Sequence, residues 1–311
     1  LNLLRRKEAI SKWGINFCFE PVVWNIGVDF FMKWFVKFII IMLFIGGLKD
    51  QGYSEELPLW ELGAGATGLN MPDYRGSDQR NYYFLPIPLF IYRGDRLKVD
   101  RKGVHGDLFK SDRIKLDMSL SAGLPVKSED NEARNGMPDL DPIFGIGPSL
   151  EIQLYRSDKR KSILSFRTST RSIFATDLSH ISHEGWEFNP YLNYNFKNTG
   201  PDGTWNIGVL LGALFATERY HDYYYEVKPE HTTASRPIYN AKSGYSGSRI
   251  AISFRKRFGR LWIGTFGLYD NLKGVTFANS PLIKTNHSFM TGLGVAWIFA
   301  NSKTKVADRL F

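Results

Sequence analysis

Hydrophobic and polar side chains alternate along most of the chain from Leu57 onward. The segment Arg113–Ser121 is the clearest case, because an apolar residue occupies every second position in it. A period of two residues predicts β-strands that have one apolar and one polar face. Twelve segments follow this pattern, at residues 57–66, 82–92, 96–102, 104–110, 113–123, 145–156, 162–175, 186–197, 203–217, 248–258, 261–271 and 288–299.

Three features of these strands favour a membrane over a soluble sandwich. Many are about 10–14 residues long, whereas globular strands average about five or six and a tilted membrane strand needs about 9–11. Aromatic residues stand at strand ends, as Trp186 with Phe196 and Trp297 with Phe299, which is typical of interfacial girdles. The polar faces carry Arg, Asn and Ser in mid-strand. The pattern therefore predicts an all-β fold, a transmembrane antiparallel up-and-down β-barrel.

The connections between the predicted strands alternate between short and long. The short ones are residues 93–95, 111–112, 157–161, 198–202 and 259–260, and the long ones are 67–81, 124–144, 176–185, 218–247 and 272–287. Outer-membrane barrels have short periplasmic turns and longer external loops, so we place the short set on the periplasmic side. This alternation favours about 12 strands. A break at Gly103 is the weakest boundary, and ten strands remain possible.

The segment before the barrel has the pattern of an export signal. Lys33 and Lys37 precede the apolar run Phe38–Leu48, and the small residues Gly52 and Ser54 precede a cleavage site. A basic start, an apolar stretch and small residues at the exit are typical of a Sec-type signal peptide. We therefore predict a signal peptide at residues 32–54, a barrel at 55–311 with a short tail at 301–311, and location in the cell outer membrane. Residues 1–31 are an unexplained upstream extension, which a mis-assigned start codon would account for.

Composition and charge narrow the classes of function. The chain has 40 Lys and Arg against 31 Asp and Glu, and aromatic residues make up 15%. The basic residues are spread singly along polar faces and turns instead of forming one stripe, so no nucleic-acid partner is expected. No window reaches the roughly 20 uninterrupted apolar residues that a membrane helix needs. The single cysteine, Cys18, excludes an internal disulfide and a multi-cysteine zinc site.

Two loop segments are candidates for chemistry, and for both we favour a solvated loop. Ser179-His180 and Ser182-His183 place a hydroxyl beside an imidazole, but a catalytic triad is defined in space and not in sequence. Asp139 and Asp141 are weak candidates for binding Ca²⁺ or Mg²⁺ through carboxylate oxygens. We predict no catalytic residue, no cofactor and no enzymatic activity.

Charged residues on the polar faces of the strands are predicted to point into the barrel. A pore would use such residues to select solutes, whereas in a narrow barrel they fill the lumen as a paired network. We slightly favour the filled lumen, because the arginine side chains are bulky. The lumen-facing candidates are Arg167, Arg171, Glu187, Arg249, Arg255 and Arg257, together with Asp117 and Glu151.

Several segments carry a resemblance to a known family. They include Tyr74-Arg75-Gly76-Ser77-Asp78, Arg93-Gly94-Asp95-Arg96 and Met137-Pro138-Asp139-Leu140-Asp141-Pro142, and they continue through Tyr223–Val227 and Gly244–Gly247 to Gly292–Trp297. In this order, over residues 60–299, the chain resembles the MipA/OmpV family of Gram-negative outer-membrane proteins.

The resemblance implies a function and partners as well as a fold. It implies a scaffold that brings a lytic murein transglycosylase, MltA, together with a penicillin-binding murein synthase at the outer membrane, in contact with membrane lipid and lipopolysaccharide. Relatives are also described as adhesins or as routes for small polar solutes, so a surface adhesin and a narrow channel are the alternatives. The predicted periplasmic turns are short, which leaves a scaffold only the rim or the tail 301–311 to hold its partners.

Overall fold

The structure is a computed structural model that describes residues 56–94, 97–100, 103–106, 108–157, 162–199 and 205–307. All of these belong to one compact unit, Lys49–Phe311. The predicted signal peptide at 32–54 and the upstream extension at 1–31 lie outside the described residues, as do Asp95 and Arg96. The domain boundaries before the barrel therefore stay predictions.

The described chain consists mainly of β-strands. None of its helices is long and apolar enough to span a bilayer. It has one α-helix, α1 (Glu218–Tyr225), and two short 3₁₀ turns, Ser128–Asp130 and Pro229–His231. The strands are β1 (Glu56–Pro58), β2 (Trp60–Pro72), β3 (Arg80–Arg93), β4 (Leu97–Asp100), β5 (Gly103–Gly106), β6 (Phe109–Lys110), β7 (Ile114–Gly123), β8 (Ile143–Arg156), β9 (Ser162–Thr176), β10 (Ile181–Thr199), β11 (Trp205–Ala216), β12 (Gly244–Phe258), β13 (Leu261–Asn271), β14 (His287–Asn301) and β15 (Lys305–Ala307).

The strands follow an up-and-down order. Thirteen of them form one antiparallel sheet in the order β5-β4-β3-β2-β14-β13-β12-β11-β10-β9-β8-β7-β6. Neighbours in sequence are mostly neighbours in the sheet, and β14 pairs with β2, which joins the last long strand to the first. The strand β5 also lies beside β7, so the sheet curls back on itself. The predicted all-β, antiparallel up-and-down fold is confirmed.

Ten strands of the described chain have ten or more residues, which agrees with the lower of the two predicted counts. The predicted third strand is β4, and the predicted fourth covers both β5 and β6. β4 and β5 have four residues each and form a hairpin with Val99 opposite Val104. The sequence between them, Arg101-Lys102, has adjacent charges. These interrupt the alternation that a long strand needs.

The polarity of the two faces of the sheet is the reverse of that in a soluble protein. Large apolar side chains lie on the outer face, where Phe84 is 79% exposed and Trp297 is 53% exposed. The inner face carries carboxylates that are almost fully shielded, and Glu61 and Asp270 are 0% and 1% exposed. Apolar residues facing out and polar residues facing in are the arrangement of a transmembrane barrel.

The connections separate into two ends of the barrel. The long loops, residues 73–79, 124–142, 217–243 and 272–286, and the turn 177–180 lie at what we call the long-loop end. The short-turn end carries the turns before β7 and between β12 and β13, together with β1 and β15. Several strands extend further than predicted, since β9 and β10 pair as far as Thr176 opposite Ile181.

Candidate functional site

Four loops at the long-loop end pack into a common hydrophobic core, which we call the cap. Its buried residues are Tyr74, Tyr225, Val227, Ala241, Leu272, Val275, Phe277 and Leu282. At its centre the Phe277 ring stacks on Tyr225, with ring centroids 3.9 Å apart. The loops connect β2 to β3, β7 to β8, β11 to β12 and β13 to β14, which are distributed along the sheet order. The cap therefore joins widely separated parts of the barrel wall.

Arg75 connects the cap to the inner face of the barrel. Its Nε donates to Asp270 Oδ2 at 2.8 Å, and its Nη2 donates to the carbonyl of Ser246 at 2.6 Å. Arg249 on β12 donates to both oxygens of Asp270, at 2.7 and 2.8 Å. One buried carboxylate thus receives two guanidinium groups, an arrangement of charge-assisted bonds that fixes the side chains on both sides.

A glycine makes room for this contact. Gly247 has φ +119°, and a Cβ built on it would lie 2.8 Å from Arg75 Nη2. Glycine is the residue that adopts positive φ at little cost. The sequence Gly244–Gly247 therefore serves the approach of Arg75 to the wall.

The loop 124–142 joins the cap through buried polar side chains. Asn131 Nδ2 donates to Asp73 Oδ2 at 2.7 Å and to Ser77 Oγ at 3.1 Å. Arg134 donates to the carbonyls of Tyr224 and Pro138, both at 3.1 Å. Each of these contacts crosses between loops or closes a turn, so they tie the loop to the rest of the cap.

A serine and a histidine meet inside the cap. His221 Nδ1 lies 2.6 Å from the carbonyl of Lys242, and its Nε2 forms a short contact with Ser246 Oγ. A carbonyl can only accept, so Nδ1 carries the proton and Nε2 accepts from the serine hydroxyl. A nucleophilic dyad needs access to substrate, but both side chains are buried, and a carbonyl instead of a carboxylate orients the ring. The pair is built to hold the cap together.

Burial in the cap changes the titration of its aromatic and imidazole groups. Burial raises the pKa of the Tyr74 and Tyr225 hydroxyls, which donate to the carbonyls of Leu282 and Arg75. Burial also lowers the pKa of His221, and the nearby charge of Arg75 adds to this effect. His221 is therefore held in its neutral form near pH 7.

Ion pairs cross the inner face below the cap. At the short-turn end, Glu61 binds Arg93 and Arg257, each with an N–O distance of 2.7 Å. Arg93 also donates to the carbonyl of Pro58 at 2.6 Å. These contacts join β2, β3 and β12 through one buried carboxylate.

A second group of ion pairs lies on the wall formed by β7, β8, β9 and β10. Arg167 Nη2 lies 3.0 Å from Asp117 Oδ1, and Arg167 Nε donates to Ser149 Oγ at 2.8 Å. Arg171 pairs with Glu187 and donates to Ser119 Oγ at 3.0 Å. Paired charges of this kind line the inner face of the wall.

The six lumen-facing candidates from the sequence share the inner face in the strand register. Arg167, Arg171 and Glu187 form the pairs just described, and Arg249 and Arg257 bind Asp270 and Glu61. Arg255 lies opposite Gly264, on the same face.

The loop candidates serve local structure. Asp139 Oδ1 accepts from the Ser128 amide at 2.7 Å, and the Asp141 carbonyl accepts from Tyr223 Oη at 2.7 Å. Within the described residues no group of three or more His, Cys, Asp or Glu could hold a metal ion. Ser179 Oγ donates to Asp177 Oδ1 at 2.8 Å, in an exposed turn outside the cap core.

The family-type segments mostly build the cap. Tyr74, Arg75 and Ser77 make the contacts above, Gly76 has φ +96°, and Asp78 is exposed. Met137 packs against the hydrophobic core, and the Pro142 carbonyl accepts from the Thr176 amide at 3.1 Å. The sequence analysis did not identify Glu61, His221 or Phe277 as structurally important. Their partners lie far away in the sequence, and no periodic pattern links them.

A family model described as MltA-interacting protein MipA matches residues 63–299. The chain belongs to the MipA family. The family predicted from the sequence is confirmed, and with the apolar outer face it identifies the chain as an outer-membrane β-barrel. No curated protein sequence matches the chain.

Solved barrel structures resemble the MipA-family chain at low identity. A structure of the NanC porin is 9% identical with a TM-score of 0.35 and covers 75% of this chain and 98% of its own. OmpT, an outer-membrane protein of Vibrio cholerae, is 6% identical with a TM-score of 0.33, at coverages of 80% and 99%. Outer-membrane phospholipase A from Escherichia coli is 8% identical with a TM-score of 0.31, at 80% and 94%. Likeness at this level carries no conclusion about activity.

Proposed function

We propose that this MipA-family barrel is a non-enzymatic scaffold that holds a lytic murein transglycosylase, and through it a penicillin-binding murein synthase, at the outer membrane. The family description names interaction with MltA. The observation that carries the proposal is the cap, which joins loops from across the barrel wall around one buried core. A barrel built in this way supplies a support for other proteins, and its function is to bind them.

The ion pairs on the inner face favour the scaffold over the alternative of a narrow channel. The charged groups that a channel would offer to solutes are bound to one another, as Asp117 is to Arg167 and Glu187 to Arg171. The Ser246–His221 pair is buried in the cap, which is consistent with the absence of enzymatic activity. No described feature favours a surface adhesin.

The tail offers a structured surface for the partner. β15 pairs with β1 through Val306 opposite Leu57, and this two-stranded ribbon continues the β14–β2 pair beyond the barrel. The turns at this end are short, so the ribbon adds backbone surface there. We place the docking of the transglycosylase here, on the periplasmic side.

The test is retention of a purified MltA-type transglycosylase by the full chain in nanodiscs. We expect retention by the wild type, and loss when Val306→Pro breaks the ribbon. The control Leu178→Ala, at the opposite end, should retain the enzyme. Absence of retention by the wild type would refute the scaffold, and retention by Val306→Pro would move the docking site elsewhere. The murein synthase is then added, and it should be retained only when the transglycosylase is present.

A further inference from the structure

The short-turn end carries cations that nothing in the described barrel neutralises. Arg113, Arg260, Lys303 and Lys305 are exposed, and they take part in none of the described ion pairs. Asp112 is the one exposed carboxylate within the described parts of the short turns and the tail. The described part of this end therefore presents a surplus of positive charge outside the described ion pairs.

Three other basic residues in the described part of this end are already engaged. Arg93 and Arg257 bind the buried Glu61. Lys256 Nζ lies 4.8 Å from the ring centroid of Trp205 and 4.7 Å from that of Phe258, within the range of a cation–π contact. The four exposed cations are thus a separate set, which structural pairing does not explain.

Three of the four cations belong to one region of the rim. The Ile298 amide donates to the Arg260 carbonyl at 2.8 Å, so the turn with Arg260 lies against the end of β14. The chain continues from β14 into the tail, where the Ser302 amide bonds to Trp60 and the Leu59 amide bonds to Thr304. Lys303 and Lys305 are therefore held on hydrogen-bonded backbone, on the segment that follows the part of β14 in contact with the Arg260 turn.

The ribbon places these charges beyond the membrane-spanning strands. Lys305 lies opposite Pro58, on the continuation of the β14–β2 pair. Trp297 and Phe299, the exposed aromatic residues that would mark the lipid interface, come earlier on β14. The position favours a polyanion in the periplasm over lipid headgroups at the membrane surface.

The long-loop end has the opposite character. Its exposed carboxylates outnumber its exposed cations, and Glu129, Asp130 and Glu132 are exposed together in one loop. A difference in sign between two ends of one molecule orients it toward partners of opposite charge. The free cations therefore distinguish the periplasmic end from the external one.

We propose that the short-turn end binds murein directly, through contacts of Arg113, Arg260, Lys303 and Lys305 with the free carboxylates of the murein stem peptides. The proposal rests on the proposed function for the orientation of the barrel. It adds to the scaffold a direct contact with the polymer on which the partner enzymes act. Because the cations are exposed, the contact is weakened by salt.

The experiment is cosedimentation of the full chain, in nanodiscs of zwitterionic lipid, with purified murein sacculi and without any transglycosylase. The test variant combines Arg113→Gln, Arg260→Gln, Lys303→Gln and Lys305→Gln. The matched control removes four exposed cations at the long-loop end, by Lys127→Gln, Lys228→Gln, Lys273→Gln and Lys284→Gln. We expect wild type and control to bind alike, and the test variant to bind at least tenfold more weakly with a flatter salt dependence.

Each other outcome has a defined meaning. Equal binding by the test variant, or equal loss in both variants, would overturn the proposal. The wild type should not bind sacculi whose carboxylates have been amidated. Continued binding to them would also overturn the proposal. If the test variant loses only its binding to phosphatidylglycerol vesicles, the surface binds lipid instead. A negative result in the murein experiment does not change the result of the transglycosylase retention experiment. The murein-binding proposal and the scaffold proposal can therefore be refuted independently.

Discussion

Single carboxylates on the inner face hold several strands and loops together. Asp270 is the sharpest case, since it binds Arg249 on the wall and Arg75 from the cap, and its side chain is 1% exposed. Removal of one partner from a buried ion pair leaves an uncompensated charge, which costs more than the pair itself contributes. The inner arginines are therefore sensitive to loss of their partners.

Asp270→Asn should destabilise the folded barrel by about 3 kcal/mol, because it leaves Arg75 and Arg249 without their carboxylate. Urea unfolding of detergent-folded protein, followed by tryptophan fluorescence, measures the change. Asp78→Asn, an exposed neighbour in the cap, should change the free energy of unfolding by less than about 0.5 kcal/mol. Equal effects of the two substitutions would contradict the role given to Asp270.

Neutral His221 makes the stability of the cap depend on pH. Its folded-state pKa is lowered, mainly by burial, so the contribution is present above the unfolded pKa of about 6.5 and is lost as pH falls below it. Proteolysis of the loop 217–243 should therefore accelerate below about pH 6.5. His221→Gln should flatten this profile, whereas the exposed His180→Gln should leave it unchanged. Identical profiles in all three proteins would refute the prediction.

The sequence indicated which residues face inward but not what they bind. The direction of Arg249 or Arg257 follows from the period of two, which is a local property of a strand. The pairing of Glu61 with Arg257 depends on strands from opposite ends of the chain. Such contacts are set by sheet order, which alternation does not encode.

The cap behaves as a structural element of its own, with a hydrophobic core separate from the wall. Phe277 is fully buried there, stacks on Tyr225 and meets His221 edge-on at a centroid distance of 4.7 Å. Loss of a buried phenylalanine costs about 3–5 kcal/mol through lost burial and the cavity left behind. The barrel strands are stabilised by their own hydrogen bonds.

Phe277→Ala should therefore loosen the cap while the barrel remains folded. Proteolysis within 217–243 should accelerate at least tenfold, and the mobility shift of the folded barrel on unheated SDS gels should remain. Leu178→Ala, in a turn where the side chain is 95% exposed, is the control and should change neither. Loss of the folded barrel together with the cap would show that they are one cooperative unit.

The strands were predictable and the cap was not. Each long strand carries its own alternation, which sequence inspection detects. The cap residues have no period, and α1 has only eight residues within a predicted loop. Its side chains form hydrogen bonds with loops that are distant in the sequence, as Tyr225 does with the carbonyl of Arg75. The sequence predicts a tail at 301–311, but the pairing of Lys305–Ala307 with Glu56–Pro58 had no local signal.

The loop core of the cap and the ion pairs of the inner face lead to a prediction about the permeability of the whole barrel. In planar bilayers we expect the wild type to be electrically silent. Replacement of residues 218–242 by a Gly-Ser linker should allow a small conductance, because the inner ion pairs remain and still narrow the lumen. A steady conductance of the wild type would contradict the scaffold and support the channel.

The pairing of β14 with β2 and of β15 with β1 brings the two ends of the described chain together, with Ala307 opposite Glu56. The first and last long strands, β2 and β14, are therefore neighbours in the sheet, and the order of the other strands does not depend on where the polypeptide begins. A short peptide could join Ala307 to Glu56, and the chain could be opened instead in the exposed turn at 177–180. Such a circular permutant would keep the same neighbour for every strand, but its synthesis would begin at β10. The effect of the order of synthesis on assembly could then be measured separately from the effect of strand pairing.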